Sequence, residues 1–155
     1  MQAGILAVGG WDGSNELDTC ELFDGAKLKW QFVAKLQTAC YWASASTVDD
    51  KVYVFGGKEN DGEFLDSVEE YAAGKWTLLP VRLSVARSTL AAATVNGRVY
   101  VCGGFPGFSV VDCFDASKMQ ISSVAQLPKA FKGTGAASVA VSDQAWSRLF
   151  RVARQ

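Results

Sequence analysis

Ile5-Leu6-Ala7-Val8-Gly9-Gly10, Val52-Tyr53-Val54-Phe55-Gly56-Gly57 and Val99-Tyr100-Val101-Cys102-Gly103-Gly104 are three apolar runs that each stop on a double glycine. Their first glycines stand at 9, 56 and 103, so the register returns after 47 residues both times. A period of that length fits a propeller blade and is too long for an ankyrin or tetratricopeptide unit. Each run is short, rich in valine and aromatics, and bounded by turn residues, which predicts a strand.

The remainder of the period repeats as well. Behind each double glycine lies a turn-rich stretch: Trp11 to Asn15, Lys58 to Gly62, and Phe105-Pro106-Gly107. A second short strand ends on an aromatic: Thr19 to Phe23, Ser67 to Tyr71, Val110 to Phe114. Trp30 and Trp76 follow, with Ile121 in that role in the third copy. Then come runs of small residues: Ala43 to Thr47, Ser88 to Thr94, Gly135 to Val139. Polar turns (Asp49-Asp50, Asn96-Gly97, Ser142-Asp143) lead from them toward the next strand, as a hairpin requires. Four short strands joined by turns make one antiparallel blade, so the expected class is all-β, with blades stacked radially. The small-residue strand belongs at the crowded axis, and the aromatics and tryptophans belong between blades.

These markers, in this order, resemble the Kelch repeat. The likeness rests on Gly9-Gly10-Trp11-Asp12-Gly13-Ser14 with Glu21-Leu22-Phe23-Asp24 and Trp30, and on Pro80 through Arg87 to Gly104. It covers residues 5 to about 143. The chain departs from the pattern in the shorter spacing between Tyr71 and Trp76 and in Ile121. Only Arg87 matches the family's arginine before the inner strand, and Tyr41 and Lys132 are read as standing in the other two places. The resemblance implies three blades over residues 1–143, the first completed by the C-terminal strand, and a tail over 144–155. Propellers have roughly four to eight blades, so three cannot close a ring. Three arrangements stay open: the C-terminal half of a longer propeller, two chains sharing one six-bladed ring, or an open half-propeller in a larger assembly. In the tail, Trp146, Leu149 and Phe150 with Arg148, Arg151 and Arg154 fit an amphipathic helical turn, either a basic docking peptide or a loose chain end.

Composition narrows the function. Fifteen basic residues against sixteen acidic ones give a formal charge of −1, with no electrostatic footprint for nucleic acid or an anionic membrane. No apolar run approaches the roughly 20 residues of a membrane span. The N-terminus has no basic stretch ahead of an apolar one, so no secretory signal is expected. Cys20, Cys40, Cys102 and Cys113 have no metal-ligand spacing and are expected as buried thiols in a reducing compartment, which favours a cytoplasmic protein. Histidine is absent. That removes the usual base of serine and cysteine hydrolases, and the ligands for copper in an oxidase of the galactose oxidase type. No catalytic residue, metal or cofactor is therefore expected. The acidic run from Glu59 to Glu70 is read as a solvated face.

Binding remains. Loops differ between copies while strands agree, and variable loops on a rigid scaffold carry recognition. Kelch substrate receptors line their pocket mouth with residues just before and at the start of the inner strands. The resemblance transfers that role to Tyr41, Trp42, Arg87, Ser88, Lys132 and Thr134, with Arg87 and Lys132 favouring a carboxylate-bearing peptide. The expected function is a protein-interaction module, an adaptor or substrate receptor as in BTB–Kelch ubiquitin-ligase adaptors. The alternative is a structural or cytoskeleton-associated scaffold. The partner is another protein or peptide, and self-association into a six-bladed ring is one expected route.

Overall fold

A computed structural model describes residues 4–138 of the 155-residue chain. Strands β1 (Gly4–Trp11), β2 (Glu16–Asp24) and β3 (Lys29–Phe32) form one antiparallel sheet, blade 1. Blade 2 consists of β4 (Ser44–Val48), β5 (Lys51–Phe55), β6 (Ser67–Ala72) and β7 (Lys75–Arg82), hydrogen-bonded in chain order. Blade 3 repeats that order with β8 (Ala91–Val95), β9 (Arg98–Cys102), β10 (Val111–Asp115) and β11 (Gln120–Ser123). The all-β expectation is met.

Strand pairing preserves the 47-residue frame. Ile5 pairs with Phe23, Val52 with Tyr71, and Val99 with Phe114. The terminal aromatic of each second strand then faces Trp30, Trp76 or Ile121. Ile121 therefore does hold the tryptophan position of the third copy.

Two four-stranded blades are complete among the described residues, and blade 1 has three strands. Of the run expected to complete it, Gly135 to Ser138 are not in a strand, and residues from 139 onward, with the tail at 144–155, lie outside the described residues.

The inner strands meet at the axis as their small side chains allow. Ser46 and Thr94 hydroxyls lie 2.7 Å apart, and Thr94 Oγ1 donates to the Thr47 carbonyl. The double glycine ends each apolar strand where the chain turns left-handed and another backbone closes in. At Gly56, φ is +58°, and a Cβ would stand 2.5 Å from the Arg87 carbonyl oxygen. A side chain is barred there on both counts.

The core lies in the seams between blades. Cys20, Leu36 and Cys40 meet Val54 and Trp76 in the first seam. Tyr53, Phe55 and Val68 meet Val99, Val101 and Phe114 in the second, with the Tyr53 ring edge-on to Phe114 at 4.9 Å. Trp76 is buried as expected, but Trp30, its counterpart on blade 1, is 49% exposed. It lies on the face of blade 1 that no other described blade covers.

Candidate functional site

After its last strand each blade hands the chain to the next through a connector whose backbone bonds are repeated. Leu36, Leu83 and Leu127 N–H groups donate to the carbonyls of Asp18, Asp66 and Ser109. Farther along, Gly10, Gly57 and Gly104 N–H groups donate to the carbonyls of Cys40, Arg87 and Phe131. These bonds make Cys40, Arg87 and Phe131 the equivalent positions, so the reading that placed Tyr41 and Lys132 opposite Arg87 is one residue out. The loop behind the third double glycine is shorter than the other two, so the 47-residue frame is lost before this connector, and the backbone pairing restores the match.

The next two connector residues bond to the loops behind the double glycines and to one another. Tyr41 pairs with Lys58 by reciprocal N–H to carbonyl bonds of 3.1 and 2.9 Å, and Phe105 N–H donates to the Ser88 carbonyl at 2.7 Å. Trp42, Thr89 and Gly133 follow, all left-handed, and they are chained around the axis. Thr89 N–H donates to the Trp42 carbonyl and Gly133 N–H to the Thr89 carbonyl.

These pairings assemble a cleft of about 440 Å³ lined by Trp42, Lys58, Phe64, Thr89, Phe105, Lys132 and Gly133. Its walls are aromatic. Phe64 and Phe105 rings lie 5.5 Å apart, and the Trp11–Tyr41–Trp42 stack (5.2 and 4.7 Å) extends the strip over blade 1. Both cations sit on rings: Lys58 Nζ is 5.6 Å from the centre of Phe64 and 6.0 Å from that of Trp42, and Lys132 Nζ is 5.4 Å from Phe105. Trp42 is 57% exposed, so the strip faces solvent. At the cleft, the Thr89 hydroxyl is buried with no protein partner among the described residues. Beyond Lys58 the loop turns acidic. Burial, with Asp61 and Glu63 nearby, raises the Glu59 carboxyl above its usual range.

Of the six residues expected at the mouth, Tyr41, Trp42 and Lys132 are brought together on this strip. Arg87 is elsewhere. It is fully buried in the second seam, where its Nη2 lies 3.0 Å from Asp112 Oδ2 and 3.2 Å from the Val101 carbonyl. Burial pulls its pKa down, and the Asp112 carboxylate opposes that pull. A guanidinium sealed between blades cannot meet a peptide at the rim, which corrects its expected place at the mouth. Ser88 is also buried, and its side chain does not line the cleft. Thr134 lines a separate hollow with Cys102, Leu127 and Phe131 on the side of blade 3 away from blade 2. Lys58 and Phe105 were legible as loop residues, but their convergence with Phe64 on the connector residues was not.

The four cysteines are free thiols, and among the described residues no group of three or more His, Cys, Asp or Glu could hold a metal. Among the same residues no helix is long and apolar enough to cross a membrane.

Comparison with known proteins agrees with this architecture. Residues 5–37 and 39–80 match the Kelch motif. Kelch-like protein 35 of Mus musculus is 28% identical over 137 residues, which is 87% of this chain and 23% of the relative. An F-box/kelch-repeat protein of Arabidopsis thaliana is 31% identical over 66% of this chain and 28% of its own length. Alpha-scruin of Limulus polyphemus is 31% identical over 49% of this chain and 8% of the relative. The chain thus spans less than a third of the length of each.

Proposed function

This chain belongs to the Kelch-repeat family, and we propose that it acts as a non-catalytic protein-interaction module whose loop face grips a peptide carrying a carboxylate next to an apolar side chain. One observation carries the reading: two lysines perched on aromatic rings at the walls of a single cleft. The rings offer apolar area at low entropic cost, and the ammonium groups offer charge to an incoming carboxylate. Lysine presents a point charge without the planar fork of arginine, so charge and apolar fit set the preference more than bidentate geometry does. The acidic loop behind Glu59 repels a second carboxylate on that side and so orients the peptide. An F-box/kelch protein and a Kelch-like protein among the relatives support an adaptor or substrate-receptor role for the protein to which these blades belong.

Panning a displayed random-peptide library on the chain tests this reading. Enriched peptides should carry Asp or Glu within two positions of an apolar residue. Lys132→Glu should weaken them by about 1–3 kcal/mol, the range for a charge-assisted contact, with the melting temperature unchanged. Binders with no acidic preference, or equal binding by the variant, would reject the site.

A further inference from the structure

Trp42, Thr89 and Gly133 hold one place in three successive connectors, and all are left-handed, with φ of +58°, +50° and +67°. Glycine enters that region freely, whereas a β-branched residue is strained there. Thr89 therefore carries strain that Gly133 shows the turn does not require. Strain of this kind persists where it serves a site. Thr89 lines the aromatic cleft, and its buried hydroxyl has no partner among the described residues. A buried hydroxyl left in this way calls for an acceptor that the protein does not supply.

Two cations share the cleft with that hydroxyl. Lys58 and Lys132 stand 5.4 to 6.0 Å from the ring centres beneath them. That is the outer limit of a cation–π contact, so the rings hold the ammonium groups loosely. Neither lysine is ion-paired among the described residues, whereas Lys35 and Lys51 each hold a carboxylate at 3.1 Å. None of the acidic side chains between Glu59 and Glu63 lines the cleft. Its walls thus offer one neutral donor and two positive charges, with no negative group among them.

We propose that the cleft prefers a phosphorylated side chain to a carboxylate, so that phosphorylation of the partner strengthens its grip. This rests on the reading of the cleft as an acidic-peptide site and adds how that site is regulated. A carboxylate brings one charge and two oxygens, which leaves part of the donor set unmatched. A phosphoryl group brings about two negative charges at neutral pH and three acceptor oxygens. It meets both ammonium groups and the Thr89 hydroxyl together. Lysine suits such a tetrahedral ligand, because its point charge imposes no planar fork. Trp42, Phe64 and Phe105 then cover the apolar part of the phosphorylated residue or of its neighbour.

Phenyl phosphate and benzoate are matched probes, one aromatic ring bearing either anion. Calorimetric titration of the full chain compares their affinities, and NMR shifts of the Thr89 and Gly133 amides place the contact. Phenyl phosphate should bind about tenfold tighter or more, the effect of one further charge-assisted hydrogen bond, and should shift both amides. Thr89→Val removes the hydroxyl but keeps the branched shape, and should bring the ratio below about threefold. Thr89→Ser keeps the hydroxyl and should keep the preference. Equal affinities in the unaltered chain, a comparison that needs no variant to fold, overturn the proposal and leave the acidic-peptide reading standing. A phosphate preference that survives Thr89→Val, or shifts that miss both amides, also overturns it. Binding of neither probe overturns both readings.

Discussion

Blade 1 meets blade 2 and blade 2 meets blade 3 through equivalent connectors, yet different polar chemistry holds the two seams. In the first, Glu69 caps two backbone N–H groups of the connector, and Cys40 fills the space beside it. In the second, a guanidinium occupies that space, and Asp112 pairs with it while still holding Ser84. Burial raises the Glu69 carboxyl above its ordinary range although both N–H bonds pull it down, whereas Arg87 must give up water for a single carboxylate and one carbonyl. Equivalent positions in a repeat can thus exchange a hydrogen-bonded clasp for a buried ion pair, provided both partners change together. A buried pair is weak evidence of net stability, but losing one partner strands the other.

The largest expected effect breaks the second seam alone. Arg87→Ala should lower stability by about 3–5 kcal/mol by leaving Asp112 buried without its cation. Cys40→Ala at the equivalent place should cost only about 1–2 kcal/mol, since a small apolar group is lost. Urea melts of both variants measure the contrast, and equal losses would show that the ion pair contributes nothing. Below its melting range Arg87→Ala should still bind acidic peptides at the cleft, because Arg87 lies outside it.

Next in size is a change to which the two seams should respond alike. Gly9 and Gly56 have φ of +57° and +58°, and a Cβ would lie 2.6 Å from the Cys40 carbonyl and 2.5 Å from the Arg87 carbonyl. Gly9→Ala and Gly56→Ala should each cost about 1–3 kcal/mol, the range for a strained backbone position. A large difference between them in thermal melts would mean that the glycine turns are tuned to the polar partner and are not a common scaffold.

Glu69→Gln probes the first seam more gently. The amide keeps one acceptor oxygen but turns a donor toward the other connector N–H, so a loss of about 1–2 kcal/mol is expected. Chemical denaturation should register it. No change would remove Glu69 as the clasp of the first seam.

The smallest effect is kinetic. Burial foremost, then Glu69, pushes the Cys40 thiol up to about 12, so almost no thiolate exists there at pH 8. Burial also raises Cys102, but the Arg87 charge opposes it, and this thiol is only half-buried. A maleimide at pH 8 should label Cys102 first and Cys40 last under native conditions. The reverse order would place the first seam in solvent.

The strands were legible because period and residue type agreed at each one. The glycine-ended strands kept the 47-residue frame, each second strand ended on an aromatic that pairs back onto it, and local rules suffice for such short hairpins. The connector register was missed because the shorter loop behind the third double glycine shifts every later residue off the 47-residue frame. Phe131 was matched with Arg87 through the carbonyl that each turns toward a glycine N–H, four residues after an equivalent leucine. The cleft was half legible: Tyr41, Trp42 and Lys132 came from their place before inner strands, while Lys58, Phe64 and Phe105 arrive from other loops across the ring.

From its sequence alone, this protein was determined to be all-β, to repeat three times, to carry Kelch-type markers and to lack the histidine that many catalytic and metal sites need. Those properties depend on residue type and spacing along the chain. Whether Arg87 greets a ligand or locks two blades was decided only in three dimensions. Asp112 lies 25 residues away in the next blade, and it comes within 3.0 Å because the second seam closes over both. Burial and pairing depend on what a neighbouring sheet brings to the same space, and spacing along one chain does not record that.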